Sequence, residues 1–170
     1  MKRAYVTLLC SGDGYVTGAE VLGKSLQASG TEVPRVAMVT PDVSADARRR
    51  LVAQGWEIRD VEPIANPHSD GALVFSRFGS VFTKLRAWDL AEIDRAVFLD
   101  ADTLVLRNID ELFERASFAA APDFFLPDRF NSGVLLLEPS RETFAKMAEA
   151  LATASSYDGG DQGLDRKSVV

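Results

Sequence analysis

The chain has 170 residues, 46% of them hydrophobic and 26% charged, a balance typical of one soluble globular domain with a sizeable core. Its formal net charge of −6 argues against a nucleic-acid partner, and no apolar run approaches the roughly 20 residues of a membrane span. A single cysteine, Cys10, excludes an intramolecular disulfide. Because residues 1–3 lead directly into a strand-like run, we expect no secretory signal and a cytoplasmic location.

Residues 4–61 alternate strand and helix patterns. The strand runs are apolar and β-branched, and the helical segments carry apolar residues three to five positions apart. Ser44 and Gly55 bracket the second helix as N-cap and stop. The patterns predict, in chain order, a strand over 4–10, a helix over 16–28, a strand over 34–40, a helix over 45–54 and a strand over 56–61. This order is typical of a parallel sheet with right-handed crossovers.

The second part of the chain continues this alternation after an interruption. Residues 62–80 contain two prolines and two glycines without periodicity, which predicts a long loop. Beyond it we predict a helix over 81–90, a strand over 96–99, an extended and buried run over 103–106, a short helix over 109–114, strands over 118–121 and 133–137, and a helix over 141–152. No internal repeat or linker interrupts the pattern, so we expect a single α/β domain.

Two carboxylates, Asp100 and Asp102, directly follow the predicted central strand. Ligands of parallel α/β sheets bind at the carboxyl ends of strands. If the strand stays extended, both side chains point to the same side and supply hard oxygen ligands for Mg²⁺ or Mn²⁺ with a diphosphate. The apolar runs on either side would leave both carboxylates partly desolvated. The alternative is that the pair only caps the next turn.

A second polar cluster lies at residues 158–163. It combines Asp158, Asp161 and Gln162 with three glycines, which allow the backbone to approach a ligand closely. The alternative is an ordinary loop before a helix, with Asp161 as its N-cap.

Over residues 4–164 the chain resembles glycosyltransferase family 8, the glycogenin-like group. The motifs that carry the resemblance are residues 5–9, 18–26, 83–85, 98–106 with 108–113, 130–134 and 158–163. The resemblance implies a Rossmann-like, GT-A type domain for a nucleotide-diphosphate-sugar, with a mixed, mostly parallel sheet and helices on both faces. It also implies a divalent metal, Mn²⁺ or alternatively Mg²⁺. The implied reaction is transfer of a hexose from a UDP-sugar to a sugar, polyol or protein hydroxyl, with retention at the anomeric carbon.

Position by position, the resemblance implies that Asp100 and Asp102 ligate the metal on the donor diphosphate. Asp102 would also lie near the ribose through Ala101, and Leu8 and Tyr15 would flank the uracil and ribose. The loop between these last two residues is one residue longer than the family's, which leaves the pairing inside it open.

The resemblance also supplies the polar groups around the phosphates and the sugar. Lys84 matches a basic residue on the phosphates, and Arg77 is a second candidate beside it. An acidic protein that binds an anionic donor needs such a local cation. Asn131 and Ser132 match residues that hydrogen-bond the sugar hydroxyls.

Asp158 joins the implied donor-binding residues, while Asp161 and Gln162 are implied near the anomeric carbon as catalytic residues. Retention can follow from a covalent carboxylate adduct or from same-face attack assisted by the leaving phosphate. We favour the same-face route, in which Asp161 and Gln162 position and stabilise rather than attack.

The family continues beyond residue 164 into a region with a histidine metal ligand and much of the acceptor side. His68 is the only histidine here and lies outside that context. Residues 165–170 depart from the family, and their back-translation matches a common sequencing-library adapter. We therefore expect an incomplete donor-binding domain over 1–164, a C-terminal artefact, and little transferase activity from this chain alone.

Two other functions compete with the transferase. A phosphotransferase of the haloacid-dehalogenase type also carries Asp-x-Asp at a strand end, but it expects Thr or Val where Leu104 stands. A nucleotide-sugar-binding module without catalysis would retain donor binding and lack turnover.

Overall fold

A computed structural model describes residues 1–65, 81–123 and 130–153 of the chain. The strands are β1 (Arg3–Leu9), β2 (Arg35–Val39), β3 (Trp56–Asp60), β4 (Arg95–Leu99), β5 (Ala119–Pro122) and β6 (Phe130–Leu137). The α-helices are α1 (Val16–Ala28), α2 (Ala45–Ala53) and α3 (Arg141–Thr153), and two 3₁₀ helices span Val81–Asp89 and Asp110–Glu114.

The strands form one six-stranded sheet in the order β3-β2-β1-β4-β6-β5. Strands β3, β2, β1 and β4 are parallel, and β6 is antiparallel to both β4 and β5. In β1, Val6 pairs with Val36 of β2 and with Phe98 of β4. The predicted α/β class and the mixed, mostly parallel sheet are confirmed.

Helices cover both faces of the sheet, as predicted. On one face Tyr5 of β1 packs with Leu22 of α1 and Leu51 of α2. On the other face Val6 and Phe98 pack with buried residues of the first 3₁₀ helix and α3. Because successive side chains of a strand point to opposite faces, neighbouring residues of β1 contribute to two separate cores.

The growth of the sheet reverses at β1. The chain first builds β2 and β3 on one side of β1, with α1 and α2 on one face. It then places β4 on the other side of β1, and the first 3₁₀ helix before β4 covers the opposite face. Uniformly right-handed crossovers require this change of face. The carboxyl ends of β1 and β4 therefore flank a crevice, which is where open α/β sheets bind ligands.

The segment predicted as an α-helix over 81–90 is a 3₁₀ helix, Val81–Asp89. Its large buried apolar residues Phe82, Leu85 and Trp88 are spaced three apart. In a helix with three residues per turn, this spacing puts all three side chains on one side, which is the side that faces the sheet.

The prediction that residues 103–106 are buried is wrong. They belong to no regular element, and Leu104 and Leu106 are 59% and 87% exposed. The strand ends at Leu99, and the chain then runs beside α1, where the Val105 N–H donates to Ser25 Oγ at 3.1 Å. The half-buried Val105 lies between the two leucines, which remain in solvent.

Candidate functional site

Asp100 and Asp102 lie in a turn that begins where β4 ends. The Thr103 N–H and hydroxyl both donate to the Asp100 carbonyl oxygen, at 3.0 and 2.7 Å. Asp102 is exposed, whereas the Asp100 side chain is 36% exposed. The strand therefore does not continue through the pair, and only Asp100 is partly desolvated. The turn, rather than an extended backbone, determines the directions of the two carboxylates.

Lys84 holds the Asp100 carboxylate from the neighbouring 3₁₀ helix. Its Nζ lies 2.9 Å from Asp100 Oδ1, 2.9 Å from Ser132 Oγ and 3.3 Å from the Ser132 carbonyl oxygen. Nζ also lies 5.3 Å from the centroid of the Phe98 ring. Lys84 is only 9% exposed, so a buried cation is stabilised by a carboxylate, two neutral oxygens and an aromatic ring.

Gly133 allows the side chains of β6 and the Asp100 turn to approach each other. A methyl group at this position would lie 2.8 Å from Asn131 Oδ1 and 3.1 Å from Asp100 Oδ2. The Gly133 N–H donates to Asn131 Oδ1 at 2.8 Å, and its carbonyl accepts the Asp100 N–H at 2.9 Å. Any larger residue would push the amide or the carboxylate away.

Gly18 likewise allows close approach on the other side of the turn, because it has no side chain. A methyl group there would lie 2.5 Å from the carbonyl oxygen of Ala101 and 3.8 Å from the Cα of Asp102. The first turn of α1 therefore packs directly on the backbone between the two aspartates.

The loop between β1 and α1 forms the second wall of the crevice. Leu8 is half-buried near the end of β1, and Tyr15, the N-cap residue of α1, is 56% exposed. A cavity of about 220 Å³ lies beside this loop, lined by residues that include Cys10, Thr40 and Glu62. It opens at the same edge of the sheet as the Asp100 turn.

The structure brings together four of the predicted residues, namely Lys84, Asp100, Asn131 and Ser132. Ala101 and Asp102 continue the same turn, and Leu8 and Tyr15 lie on the β1 side of the crevice. The predicted residues Arg77, Asp158, Asp161 and Gln162, and also His68, lie outside the described residues.

A larger cavity, of about 750 Å³, lies at the opposite edge of the sheet, where β1 and β2 begin. Two of its cations are paired, Arg3 with Glu114 at 2.7 Å and Arg59 with Glu92 at 3.1 Å. Ligands of open α/β sheets bind at the carboxyl ends of the strands, so we assign the site to the carboxyl edge.

A partly buried hydrogen-bond network connects the second 3₁₀ helix with β1 and with the segment after α1. Asp110 accepts hydrogen bonds from the Tyr5 hydroxyl at 2.7 Å, from the Thr31 hydroxyl at 2.6 Å and from the Asn108 amide at 3.1 Å. Burial raises the pKa of Asp110, but these hydrogen bonds outweigh burial, and the pKa lies below its usual value. Burial, followed by the contact with Asp110, raises the pKa of Tyr5. The network thereby ties the second 3₁₀ helix to β1.

Sequence reasoning missed the roles of Gly18 and Gly133. Each glycine lay inside a motif, but neither was assigned a function. A glycine inside a strand or helix is itself a signal for close backbone approach, and that signal was available at both positions.

Among the described residues, no group of three or more His, Cys, Asp or Glu side chains could hold a metal ion. Asp100 and Asp102 supply two hard oxygen donors at one turn. Within residues 1–65, 81–123 and 130–153, no helix combines the length and apolar character needed to cross a membrane.

Comparison with known proteins agrees with this fold and identifies the family. The sequence model of Glycosyl transferase family 8 matches residues 6–117, and the chain belongs to this family. Glycogenin-1 of Caenorhabditis elegans is 43% identical over 166 residues, which cover 96% of this chain and 38% of that protein. Inositol phosphorylceramide glucuronosyltransferase 1 of Arabidopsis thaliana is 41% identical over 163 residues, covering 96% of this chain and 29% of that protein.

The solved structure of the galactosyltransferase LgtC in complex with donor and acceptor sugar analogs has the same fold. It superposes with a TM-score of 0.71 at 19% identity, over 98% of this chain and 70% of that chain. The Rossmann-like GT-A fold is thereby confirmed. This chain spans less than half the length of the two curated relatives named above.

Proposed function

We propose that this chain forms the donor-binding part of a metal-dependent hexosyltransferase that uses a UDP-sugar and retains the anomeric configuration. The observation that carries the proposal is the Asp100 carboxylate, held by Lys84 at 2.9 Å and packed beside Gly133 at the carboxyl edge of the sheet. It lies next to Asp102 in the crevice between β1 and β4. Membership of family 8 supports the reaction class.

The residues of the turn fit a hard divalent cation. Asp100 and Asp102 would hold Mn²⁺ or Mg²⁺ through oxygen ligands, and a diphosphate would supply further oxygens. When bound, the cation neutralises the negative charge that develops on the departing phosphate. Two protein ligands make a weak site by themselves, so we expect metal binding to depend strongly on the nucleotide.

The protein groups around the turn orient the donor. Lys84 keeps the Asp100 carboxylate in place and adds positive charge beside the phosphates, where Arg77 is a second candidate. Asn131 and Ser132 bind the sugar hydroxyls, because their amide and hydroxyl groups project from β6 beside Asp100. Tyr15 and Leu8 contact the nucleoside.

At the reacting carbon, Asp161 and Gln162 position and stabilise the transferred sugar, with Asp158 nearby on the donor. In the same-face route, the bond to the diphosphate oxygen breaks as the acceptor oxygen approaches from the same side, and the leaving phosphate takes the acceptor proton. The acceptor is a hydroxyl on a sugar, polyol or protein. Full transferase activity belongs to the whole protein, which in the curated relatives is more than twice as long.

Calorimetric titration of UDP into the chain, with and without Mn²⁺, tests the donor site. We expect Mn²⁺-dependent binding that is lost in Asp102→Asn. Asp46→Asn is the control, because Asp46 is an exposed carboxylate on α2 that pairs with Arg49 at 3.0 Å. Metal-independent binding, or binding unchanged in Asp102→Asn, would remove the aspartate turn from the proposal.

Incubation with UDP-sugars tests the reaction. Release of UDP together with a product of unchanged anomeric configuration, measured by NMR, supports a retaining transferase, and an inverted product contradicts retention. If a protein as long as the relatives binds the donor but transfers no sugar, the result favours a binding module. Full transfer activity in Asp161→Asn would exclude that residue from the chemistry.

A further inference from the structure

Two loops at the carboxyl edge of the sheet hold each other's backbones through carboxylates. The β1–α1 loop spans residues 10–15, and the β2–α2 loop spans residues 40–44. The backbone N–H groups of Ser11 and Gly12 lie near the Asp42 carboxylate and lower its pKa. In return, Asp13 Oδ1 accepts the Ser44 N–H at 2.9 Å. The conformation of the first loop therefore depends on the second.

The backbone that Asp42 binds is unusual. Ser11 and Gly12 have φ angles of 62° and 82°, so two consecutive residues adopt the left-handed conformation. A serine rarely adopts this conformation unless the surroundings hold it there. A carboxylate near both N–H groups is such a constraint, because consecutive amides in strained turns make a concave site for an anion.

Asp42 is in turn held in position by Thr40, the residue that follows β2. The buried Thr40 hydroxyl donates to Asp42 Oδ1, and the Thr40 N–H donates to the Leu9 carbonyl at 3.1 Å. Arg48 of α2 donates to the Thr40 carbonyl at 2.9 Å and fixes the start of this loop. The hydrogen bond from Thr40 lowers the pKa of Asp42 most, and the two loop amides lower it further, so Asp42 is ionised at neutral pH.

The loop that Asp42 holds borders the crevice. It runs from the end of β1 to Tyr15 at the start of α1, and Ser11, Thr40 and Asp42 line the 220 Å³ cavity. Its first residues continue β1, directly across the crevice from the Asp100 turn. A shift of Ser11 and Gly12 would therefore change the cavity and the approach to Tyr15 together.

We propose that Asp42 is a positioning residue of the donor site, which holds the β1–α1 loop in the conformation that receives the nucleoside. The inference rests on the proposed function, since it assumes that UDP is the ligand. It assigns to Asp42 no contact with the reacting atoms. Asp42 acts through the backbone of Ser11 and Gly12.

The test is UDP titration in the presence of Mn²⁺ with the parent chain, Asp42→Ala, Asp42→Asn and the control Asp46→Ala. For Asp42→Ala we expect the Kd for UDP to rise about tenfold at unchanged stoichiometry, because the β1–α1 loop would be displaced from the site. Asp42→Asn keeps one acceptor oxygen and should lose less affinity. Asp46→Ala removes an exposed carboxylate four residues away on α2 and should bind UDP as the parent does. Amide hydrogen exchange should show lost protection at Ser11 and Gly12 in Asp42→Ala.

Three results would overturn the inference. One is a Kd for UDP in Asp42→Ala equal to that of the parent, together with lost amide protection. The loop would then be mobile without any effect on UDP binding. Another is a fall in binding stoichiometry at unchanged Kd, which indicates partial unfolding and a structural role only. The third is absence of UDP binding by the folded parent, which refutes the proposed function itself and is distinguished from the other two by the parent titration alone.

Discussion

Replacing Gly18 by alanine tests the contact between α1 and the aspartate turn. The added methyl group would lie 2.5 Å from the Ala101 carbonyl oxygen, whereas ordinary van der Waals contacts begin at 3.4 Å. The helix and the turn must therefore separate by about 0.9 Å, because both contacting groups belong to the backbone or are fixed to it.

Two opposing effects set the expected change in the free energy of unfolding. Overpacking of this kind costs about 1–3 kcal/mol, and the replacement of a helical glycine by alanine returns about 1 kcal/mol of helix propensity. We expect the free energy of unfolding to fall by about 1 kcal/mol. Ligand binding should suffer more than stability, because a displacement of about 1 Å in a site can cost up to ~100-fold in function.

Urea denaturation and UDP titration with Mn²⁺ measure the two effects. The parent protein is the reference for both measurements. If Gly18→Ala is as stable as the parent and binds UDP equally well, the packing of α1 on the turn does not control the site.

Three further substitutions test other contacts. Thr7→Val removes a buried hydroxyl that has no hydrogen-bond partner among the described residues, and should raise the free energy of unfolding in urea by about 1 kcal/mol. Tyr5→Phe removes the hydrogen bond to Asp110 and should lower this free energy by about 1–2 kcal/mol at neutral pH. Because the pKa of Tyr5 is raised above 10.0 in the folded state, this stabilisation is complete below pH 10 and is lost at higher pH. Parent and variant should therefore converge in alkaline denaturation, and a constant difference would contradict the shift. Lys84→Met removes the cation beside Asp100 and should raise the Kd for UDP with Mn²⁺ by about tenfold in calorimetry, whereas an unchanged Kd would limit Lys84 to core packing.

Most elements could be predicted from the sequence because their signals are local. The N-cap Ser44, whose hydroxyl accepts the Ala47 N–H at 3.1 Å, is an example, as is Gly55 with its φ of 79°. The 3₁₀ geometry of Val81–Asp89 was missed, since a spacing of three also occurs in α-helices. Leu104 and Leu106 were predicted to be buried because an apolar run does not reveal that the chain has already left the sheet.

The candidate site was predicted in part. The pair Asp100 and Asp102 is visible as a spacing at the end of an apolar strand, and the resemblance to family 8 pointed to Lys84, Asn131 and Ser132. Physical reasoning from the sequence alone could not join them, because Lys84 and Ser132 are 48 positions apart. Asp42 carried no sequence signal at all, since its partners Ser11 and Gly12 belong to a different loop.

The sequence by itself determined the α/β class, the order of the elements, the family and the aspartate pair, because all of these depend on patterns within short segments. Only the tertiary structure decided that β4 lies between β1 and β6, and the packing there brings Lys84, Asp100 and Ser132 together. It also decided that Gly18 and Gly133 let α1 and β6 pack directly against the Asp100 turn. These contacts depend on strand order and on packing across the whole domain, and no local pattern encodes the distance between residues that are remote in the chain.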